Sequence, residues 1–297
     1  MRLTLLGTGC PSVSTERYGP SQLVRHVDRS VLIDCGSGVT QRLLEAGSSG
    51  REIDALVLTH LHSDHIVDLF QLIISAWHQG REVPQRVHGP RGTRGYVEGL
   101  MALWRPELEQ RIAHERRPST SGLEVEVTEF EEGPILRLDG LAIDAFAVSH
   151  EPVKNAYGFY CEAAGRRLVV SGDTRRCPAV VEAAKGADLL LHEVFVHQDM
   201  PVIPGVRSAE TVERVASYHT LSAEVGKIAR EAGVGALMLT HFAPPAADRD
   251  RLLAEVSADF PGPVILGEDL MSYDLERASL TYRQARVRIS QGDGFAS

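Results

Sequence analysis

From Leu58 the chain reads Leu58-Thr59-His60-Leu61-His62-Ser63-Asp64-His65. Three imidazoles and a carboxylate fall within six positions, directly after the apolar run Ala55–Leu58 and directly before a helical pattern. Imidazole and carboxylate are preferred ligands of zinc and similar divalent ions. In an extended turn, residues two apart point the same way, so His60 and His62 can share one metal. Asp64 and His65 begin the helix and point elsewhere, which suits a second metal. A histidine-rich surface loop is the plainer alternative, and the crowding of four ligand-type side chains at one strand end argues against it. Single residues of the same kind follow other apolar runs: His150 after Leu141–Ser149, Asp173 after Leu168–Gly172, and His241 after Leu237–Thr240. Each alone reads as a capping aspartate or a core histidine. Beside the histidine turn they read as members of one site, because α/β folds gather their sites from the ends of several strands.

The elements that must position these residues are short apolar runs bounded by turns: Leu3–Leu6, Val31–Ile33, Ala55–Leu58, Leu141–Val148, Leu168–Val170, Leu189–Leu191, Leu237–Leu239 and Val264–Leu266. They predict strands, several of them buried on both faces. Helical patterns lie between them. One runs from Asp64 through Ile66, Leu69, Phe70, Ile73 and Ile74. A second runs from Ser222 to a stop at Gly233, with Thr220 or Ser222 as cap. A third covers Thr93 to Ala113, interrupted at Pro106. Strands mixed with helices in this way predict a layered α/β protein. No linker divides the chain, so residues 1–287 are expected to form one domain, with a polar, frayed tail over 288–297. The segment Arg81–Arg117 carries eight arginines and five glutamates, beside Trp77, Tyr96 and Trp104. It is expected as a helical, lid-like segment, either a lid presenting positive charge to an anion or, the commoner case by composition, a solvated amphipathic hairpin whose tryptophans are core.

Composition removes several classes. A net charge of −9 disfavours a general polyanion-binding surface. No apolar run reaches the length of a membrane span. Cys10, Cys35, Cys161 and Cys177 are widely spaced, with no CxxC pair, and predict reduced thiols in the cytoplasm. No Gly-x-Ser-x-Gly elbow is present, and Cys35 lacks the basic setting of a reactive thiol.

The histidine turn, the later His150, Asp173 and His241, and Asp34 in Ile33-Asp34-Cys35-Gly36-Ser37-Gly38 together resemble the metallo-β-lactamase superfamily. Gly7-Thr8-Gly9, Arg17-Tyr18-Gly19-Pro20-Ser21, Ser171-Gly172-Asp173-Thr174, Leu191-His192-Glu193, His219-Thr220, Leu239-Thr240-His241-Phe242 and Gly267-Glu268-Asp269-Leu270 resemble its ribonuclease Z and arylsulfatase-like branch. The resemblance implies an αββα sandwich, two β-sheets face to face with helices on the outer faces. It implies two divalent metal ions, zinc by ligand type, with manganese or iron as alternatives. His60, His62 and His150 would hold the first ion, Asp64, His65 and His241 the second, and Asp173 would bridge them. Asp34 would orient a ligand from behind. Asp64 would also accept a proton from water. His219 would assist the leaving oxygen, with Glu193 orienting it; the alternative for His219 is a helix cap.

These readings predict a binuclear metal-dependent hydrolase cleaving a small phosphodiester or an aryl or alkyl sulfate ester through a metal-bridging hydroxide. The long arm with which ribonuclease Z grips transfer RNA is missing, since the gap between His150 and Asp173 is filled by a strand pair, Tyr157–Glu162 and Arg167–Val170. The expected partner is therefore a small anionic ester rather than nucleic acid or membrane, and a homodimer stays open. The alternatives are a ribonuclease Z-like 3′ RNA endonuclease and a non-catalytic metal-binding member of the fold.

Overall fold

The computed structural model describes residues 1–289. Strands are numbered along the chain. The first sheet has the order β16-β15-β14-β1-β2-β3-β4-β5-β6. Its members are β1 (Arg2–Gly7), β2 (Ser21–His26), β3 (Arg29–Ile33), β4 (Ala55–Val57), β5 (Gln85–Pro90), β6 (Val125–Phe130), β14 (Ser272–Asp274), β15 (Ser279–Tyr282) and β16 (Ala285–Arg288). The second has the order β13-β12-β11-β10-β9-β8-β7. It comprises β7 (Gly133–Leu138), β8 (Leu141–Ala147), β9 (Tyr157–Ala163), β10 (Arg166–Val170), β11 (Leu189–Phe195), β12 (Leu237–Ala243) and β13 (Val264–Leu266).

Side-chain alternation explains why the sheets stack. Val31 and Ile33 of β3 face the space between the sheets, where they meet Phe159, Leu168 and Leu191 of the second sheet. Leu32 and Leu56 face the other way and pack beneath α1 (Val39–Glu45), α3 (Leu69–His78) and α4 (Thr93–Glu115). In the second sheet Leu189 and Leu191 face inward, while Leu190 turns outward to α5 (Pro178–Ala184), α7 (Ser222–Ala232) and α8 (Arg249–Asp259). A strand buried on both faces can afford no polar position, which is why these strands read as continuous apolar runs. The result is the αββα sandwich.

Two helices depart from their sequence patterns. The helix expected from Asp64 to Ile74 is broken into α2 (Ser63–Ile66) and α3. The Asp68 amide donates to Cys35 O at 3.1 Å instead of continuing the helical ladder, and the Asp68 carboxylate accepts from the Gly38 amide at 2.8 Å. The helix expected to be interrupted at Pro106 runs unbroken as α4. Pro106 and Ala102, whose carbonyl loses its donor, are both exposed, so water can serve that carbonyl. Arg288 lies in β16 and the Ile289 amide donates to Ala278 O at 2.7 Å, so these two are held; residues 290–297 of the expected tail fall outside the described residues. Among the described residues no helix is long and apolar enough to cross a membrane.

Parallel pairing of β3 with β4, and of β10, β11 and β12 with one another, places their C-terminal ends along one edge of the sandwich. That edge carries the chemistry-bearing residues.

Candidate metal centre

The turn after β4 delivers His60, His62, Asp64 and His65; Asp34 follows β3; His150 follows β8; Asp173 follows β10; Glu193 lies in β11 and His241 in β12; and His219 immediately precedes α7. All stand in one cluster. One ligand atom from each of His60, His62, His150 and Asp173 lies within 4.8 Å of the others, and the same holds for Asp64, His65 and His241. Asp173 is central: its Oδ2 lies 3.2 Å from His241 Nε2, 3.3 Å from His65 Nε2, and 3.9 Å from Nε2 of both His60 and His150. Asp64 Oδ2 lies 3.4 Å from His241 Nε2 and 3.5 Å from His65 Nε2. Two ligand atoms each bonded at ~2.1 Å to one tetrahedral cation are ~3.4 Å apart, so these spacings are of the size that a cation requires.

Local structure holds the ligands in place. Asp34 adopts a left-handed backbone (φ 60°), which aspartate tolerates better than most residues. Its Oδ1 accepts the Thr59 amide at 2.8 Å, and its Oδ2 lies 2.8 Å from His65 Nδ1. A carboxylate can only accept here, so Nδ1 carries a proton and Nε2 is the nitrogen turned toward Asp173, 3.3 Å from its Oδ2. His150 is set in the same way, with Nδ1 donating to the Tyr218 carbonyl at 3.0 Å. Gly36 allows a close backbone approach: a Cβ there would sit 2.4 Å from Gly19 C and 2.6 Å from Asp64 O. Gly172, just before Asp173, has φ 60° and faces Tyr157 O at 2.5 Å from where a Cβ would stand.

Electrostatics point the same way. Burial lowers His60 and His62, and takes His150 down to about 4, so these imidazoles are neutral donors. Burial opposes charge on His65 and His241 as well, but Asp173, Asp34 and Asp64 outweigh it at His65, while Asp173 and Asp64 lift His241 to about 9. Burial would raise Asp173, yet His241 and His65 hold it well below the usual carboxylate range. The carboxylates thus demand positive charge at this point. Nε2 of His60 and of His65 are buried without a hydrogen-bond partner, a costly arrangement unless those atoms serve as ligands. Imidazole and carboxylate donors suit zinc, manganese or iron. The residues fit a binuclear cation site.

Beside the cluster, His219 Nδ1 lies 2.9 Å from both Oε1 and Oε2 of Glu193. Glu193 also accepts the Thr174 amide at 2.7 Å. His219 does not cap α7: the N-cap residue is Leu221, and no side chain caps the helix. Burial drives His219 down to about 4 and Glu193 well above its usual range. A nitrogen of His219 also lies within 4.8 Å of ligand atoms of Asp173 and His241. His192 faces away, buried, its Nδ1 donating to the Glu193 carbonyl.

A cavity of about 330 Å³ opens over the cluster, lined on its floor by His62, Asp64, Asp173, His219 and His241. A second cavity, about 530 Å³, shares Cys10, Pro11, Ser12, Ser63 and Asp64 with it, so the cleft runs past the cluster on both sides. The wall of the first cavity is Met200, Arg207, Val212, Val215 and Tyr218. No residue of Arg81–Arg117, expected as lid-like, lines either cavity. Trp104 stacks on Phe70 at 4.4 Å, the Trp77 indole donates to Ser119 O, and the Tyr96 hydroxyl donates to Ile66 O. These aromatic side chains are spent on joining α4 and the segment after it to α2 and α3. Arg81 is buried, its guanidinium donating to the Ile53 and Pro84 carbonyls. Thr59, Tyr218 and the 200–215 wall were not foreseen from sequence. Thr59 and Tyr218 contribute an amide and a carbonyl, which carry no residue signature.

The comparisons with known proteins agree with this geometry. A family model described as Anti-Pycsar protein Apyc1 matches residues 1–203. A protein named ribonuclease Z from Mycobacterium marinum is 36% identical over 275 residues, covering 91% of this chain and 97% of its own length. Another ribonuclease Z, from Mycobacterium sp. (strain KMS), is 38% identical over 274 residues, covering 91% and 94%. Among solved structures, the metallo-β-lactamase fold protein YhfI from Bacillus subtilis superposes with a TM-score of 0.69 at 22% identity, covering 92% of this chain and 98% of its own. Human tRNase Z, short form, matches with the same TM-score and identity, covering 93% and 99%. No comparison supports sulfate ester hydrolysis. The near-complete coverage of the mycobacterial proteins leaves no room in them for a long inserted arm, so the missing arm does not separate this chain from proteins named ribonuclease Z. The chain belongs to the Apyc1 family and to the ribonuclease Z-like proteins of metallo-β-lactamase fold, and it is a metal-dependent hydrolase.

Proposed function

We propose that the protein is a phosphodiesterase that cuts RNA on the 3′ side of a nucleotide, as an endonuclease of ribonuclease Z type. The observation that carries this reading is the cleft running past Asp64 on both sides, which admits a chain that continues beyond the bond being cut. The mycobacterial relatives support the same choice.

His60, His62 and His150 would hold one divalent ion and Asp64, His65 and His241 the other, with Asp173 between them. Such ions lower the pKa of water and offset charge that builds on the phosphate oxygens. The chain's own residues do the rest. Asp34 and the Tyr218 carbonyl fix the tautomers of His65 and His150, so ligand lone pairs are aimed before substrate arrives. Asp64 accepts a proton from the attacking water. As oxygen bonds to phosphorus, the bond from phosphorus to O3′ breaks. The ring nitrogen of His219 not shared with Glu193 protonates O3′ as it leaves, and the proton held between Glu193 and His219 Nδ1 restores the imidazole. The products are an RNA 3′-hydroxyl and a fragment with a 5′-phosphate.

A second reading, a small phosphodiester substrate, is favoured by the compact first cavity and the scarcity of cationic side chains along the cleft. A transfer-RNA precursor carrying a 3′ trailer, assayed beside bis(p-nitrophenyl) phosphate, decides between them. The RNA reading expects zinc- or manganese-dependent release of the trailer at physiological salt. Turnover of the chromogenic diester with no release of trailer would overturn it in favour of the second reading.

A further inference from the structure

The wall of the first cavity contains one cation, Arg207. It is the only residue between 201 and 210 that is not exposed, so its side chain folds inward while its neighbours face solvent. Among the described residues no carboxylate lies within ion-pair distance of it, Asp64 and Asp173 included. Its guanidinium makes a single weak contact, donating to the Pro201 carbonyl at 3.3 Å. The backbone that presents it is fixed. Ile203-Pro204-Gly205-Val206 forms a tight turn, with the Val206 amide donating to Ile203 O at 3.0 Å and Gly205 at φ 75°. Ile203 and Arg207 then exchange two amide-carbonyl bonds of 2.8 Å, and Ser208 caps α6 (Ala209–Ala216), its Oγ accepting the Thr211 amide. An uncommitted guanidinium held on a stiff turn over a cleft is built for a planar or tetrahedral anion.

We infer that Arg207 forms a subsite for a second phosphate of the substrate, the one immediately upstream of the nucleotide whose O3′ leaves. This rests on the RNA reading above. If His219 protonates O3′, the leaving nucleoside occupies the cavity that His219 lines, against Met200, Val212, Val215 and the Tyr218 ring. That nucleoside has the scissile phosphate at its 3′ end on the floor and its other phosphate at its 5′ end toward the wall. Arg207 is the wall's only charge to receive it. The contact is the same before and during bond cleavage, so it tightens binding rather than accelerating the chemical step.

The test uses the full-length enzyme loaded with zinc or manganese and two versions of one trailer-bearing RNA. They differ at a single linkage, the one upstream of the leaving nucleotide, which is either a phosphate or a neutral methylphosphonate. With wild-type protein the neutral linkage should raise KM about tenfold and leave kcat within about twofold. With Arg207→Ala the phosphate RNA should already show the raised KM, and the neutral linkage should add nothing, because the partner is gone. Arg207→Lys should recover part of the discrimination. Arg214→Ala, a change on α6, the helix that follows Arg207, at an arginine paired with Glu210, should discriminate like wild type. Equal sensitivity to the neutral linkage in wild type and Arg207→Ala, or no sensitivity in either, overturns the subsite while the RNA reading stands. Failure of wild-type enzyme to cut either RNA overturns the RNA reading, and the subsite with it.

Discussion

The floor of the cleft and its wall are built by different means. Floor residues such as Asp173 and His241, each 3% exposed, stand at the C-terminal ends of packed strands of the second sheet. The wall comes from one excursion between β11 and α7, where Val202 is 57% and Val206 77% exposed. The floor therefore sets a chemistry that tolerates almost no change. The wall sets what enters, and it can vary without disturbing the fold.

The sharpest way to break the contrast is at the floor's centre. Asp173→Ala should abolish detectable turnover, a loss of more than ~10⁴, and should cost both ions, as followed by elemental analysis beside phosphodiester assays. His219→Ala should lower turnover by ~10²–10⁴ with metal content unchanged, the loss being smallest for aryl leaving groups that need no proton. Equal loss for all leaving groups, accompanied by a lower melting temperature, would assign His219 a purely structural part. Asp34→Asn should weaken metal binding by ~10–100-fold, read in a competition titration with a chromophoric chelator, because His65 loses the acceptor that fixes its tautomer. On the excursion that carries the wall, Val206→Ser should leave the melting temperature within about 1 °C and turnover within about twofold, since an exposed side chain outside the cavity has little burial to lose. A large loss of stability there would erase the distinction between floor and wall. Smallest of all, alkylation of native protein at pH 8 should spare Cys35 and Cys161, which burial lifts well above the usual thiol range, the latter to about 12.

The same contrast governs what the sequence reveals. Residues 60–65 announce themselves because four ligand-type side chains crowd one strand end, and His150, Asp173 and His241 because apolar runs end on them. Glu193 and His219 stand out only through the family resemblance, since a buried glutamate beside a histidine has no local signature. Strands buried on both faces, such as β10, β11 and β12, are read directly from continuous apolar runs. β6 alternates Val125-Glu126-Val127-Thr128, and β15 and β16 are short strands with polar residues at one end of the first sheet, so a search for continuous runs passes over them. The break at Asp68 is invisible locally because its cause, the Cys35 carbonyl, lies 33 positions away in the chain. The wall is only partly legible: Val212 and Val215 stand three apart on α6, a helical spacing, but Met200 and Arg207 join them only when the segment before α6 folds over the cleft. Arginines over 81–117 look like an anion-binding surface in composition, but Arg111 pairs with Glu107 and Glu115, Arg117 lies over the Trp77 ring, and Arg81 is buried on carbonyls.

The central claim is that phosphodiester cleavage depends on two cations gathered around Asp173. Its most direct test titrates zinc or manganese into metal-stripped protein while the phosphodiester assay and bound metal are followed together. The account predicts no activity without metal, and a rise to a plateau at two ions per chain that Asp173→Ala abolishes. Full activity in stripped protein, or no uptake of either ion, would contradict it.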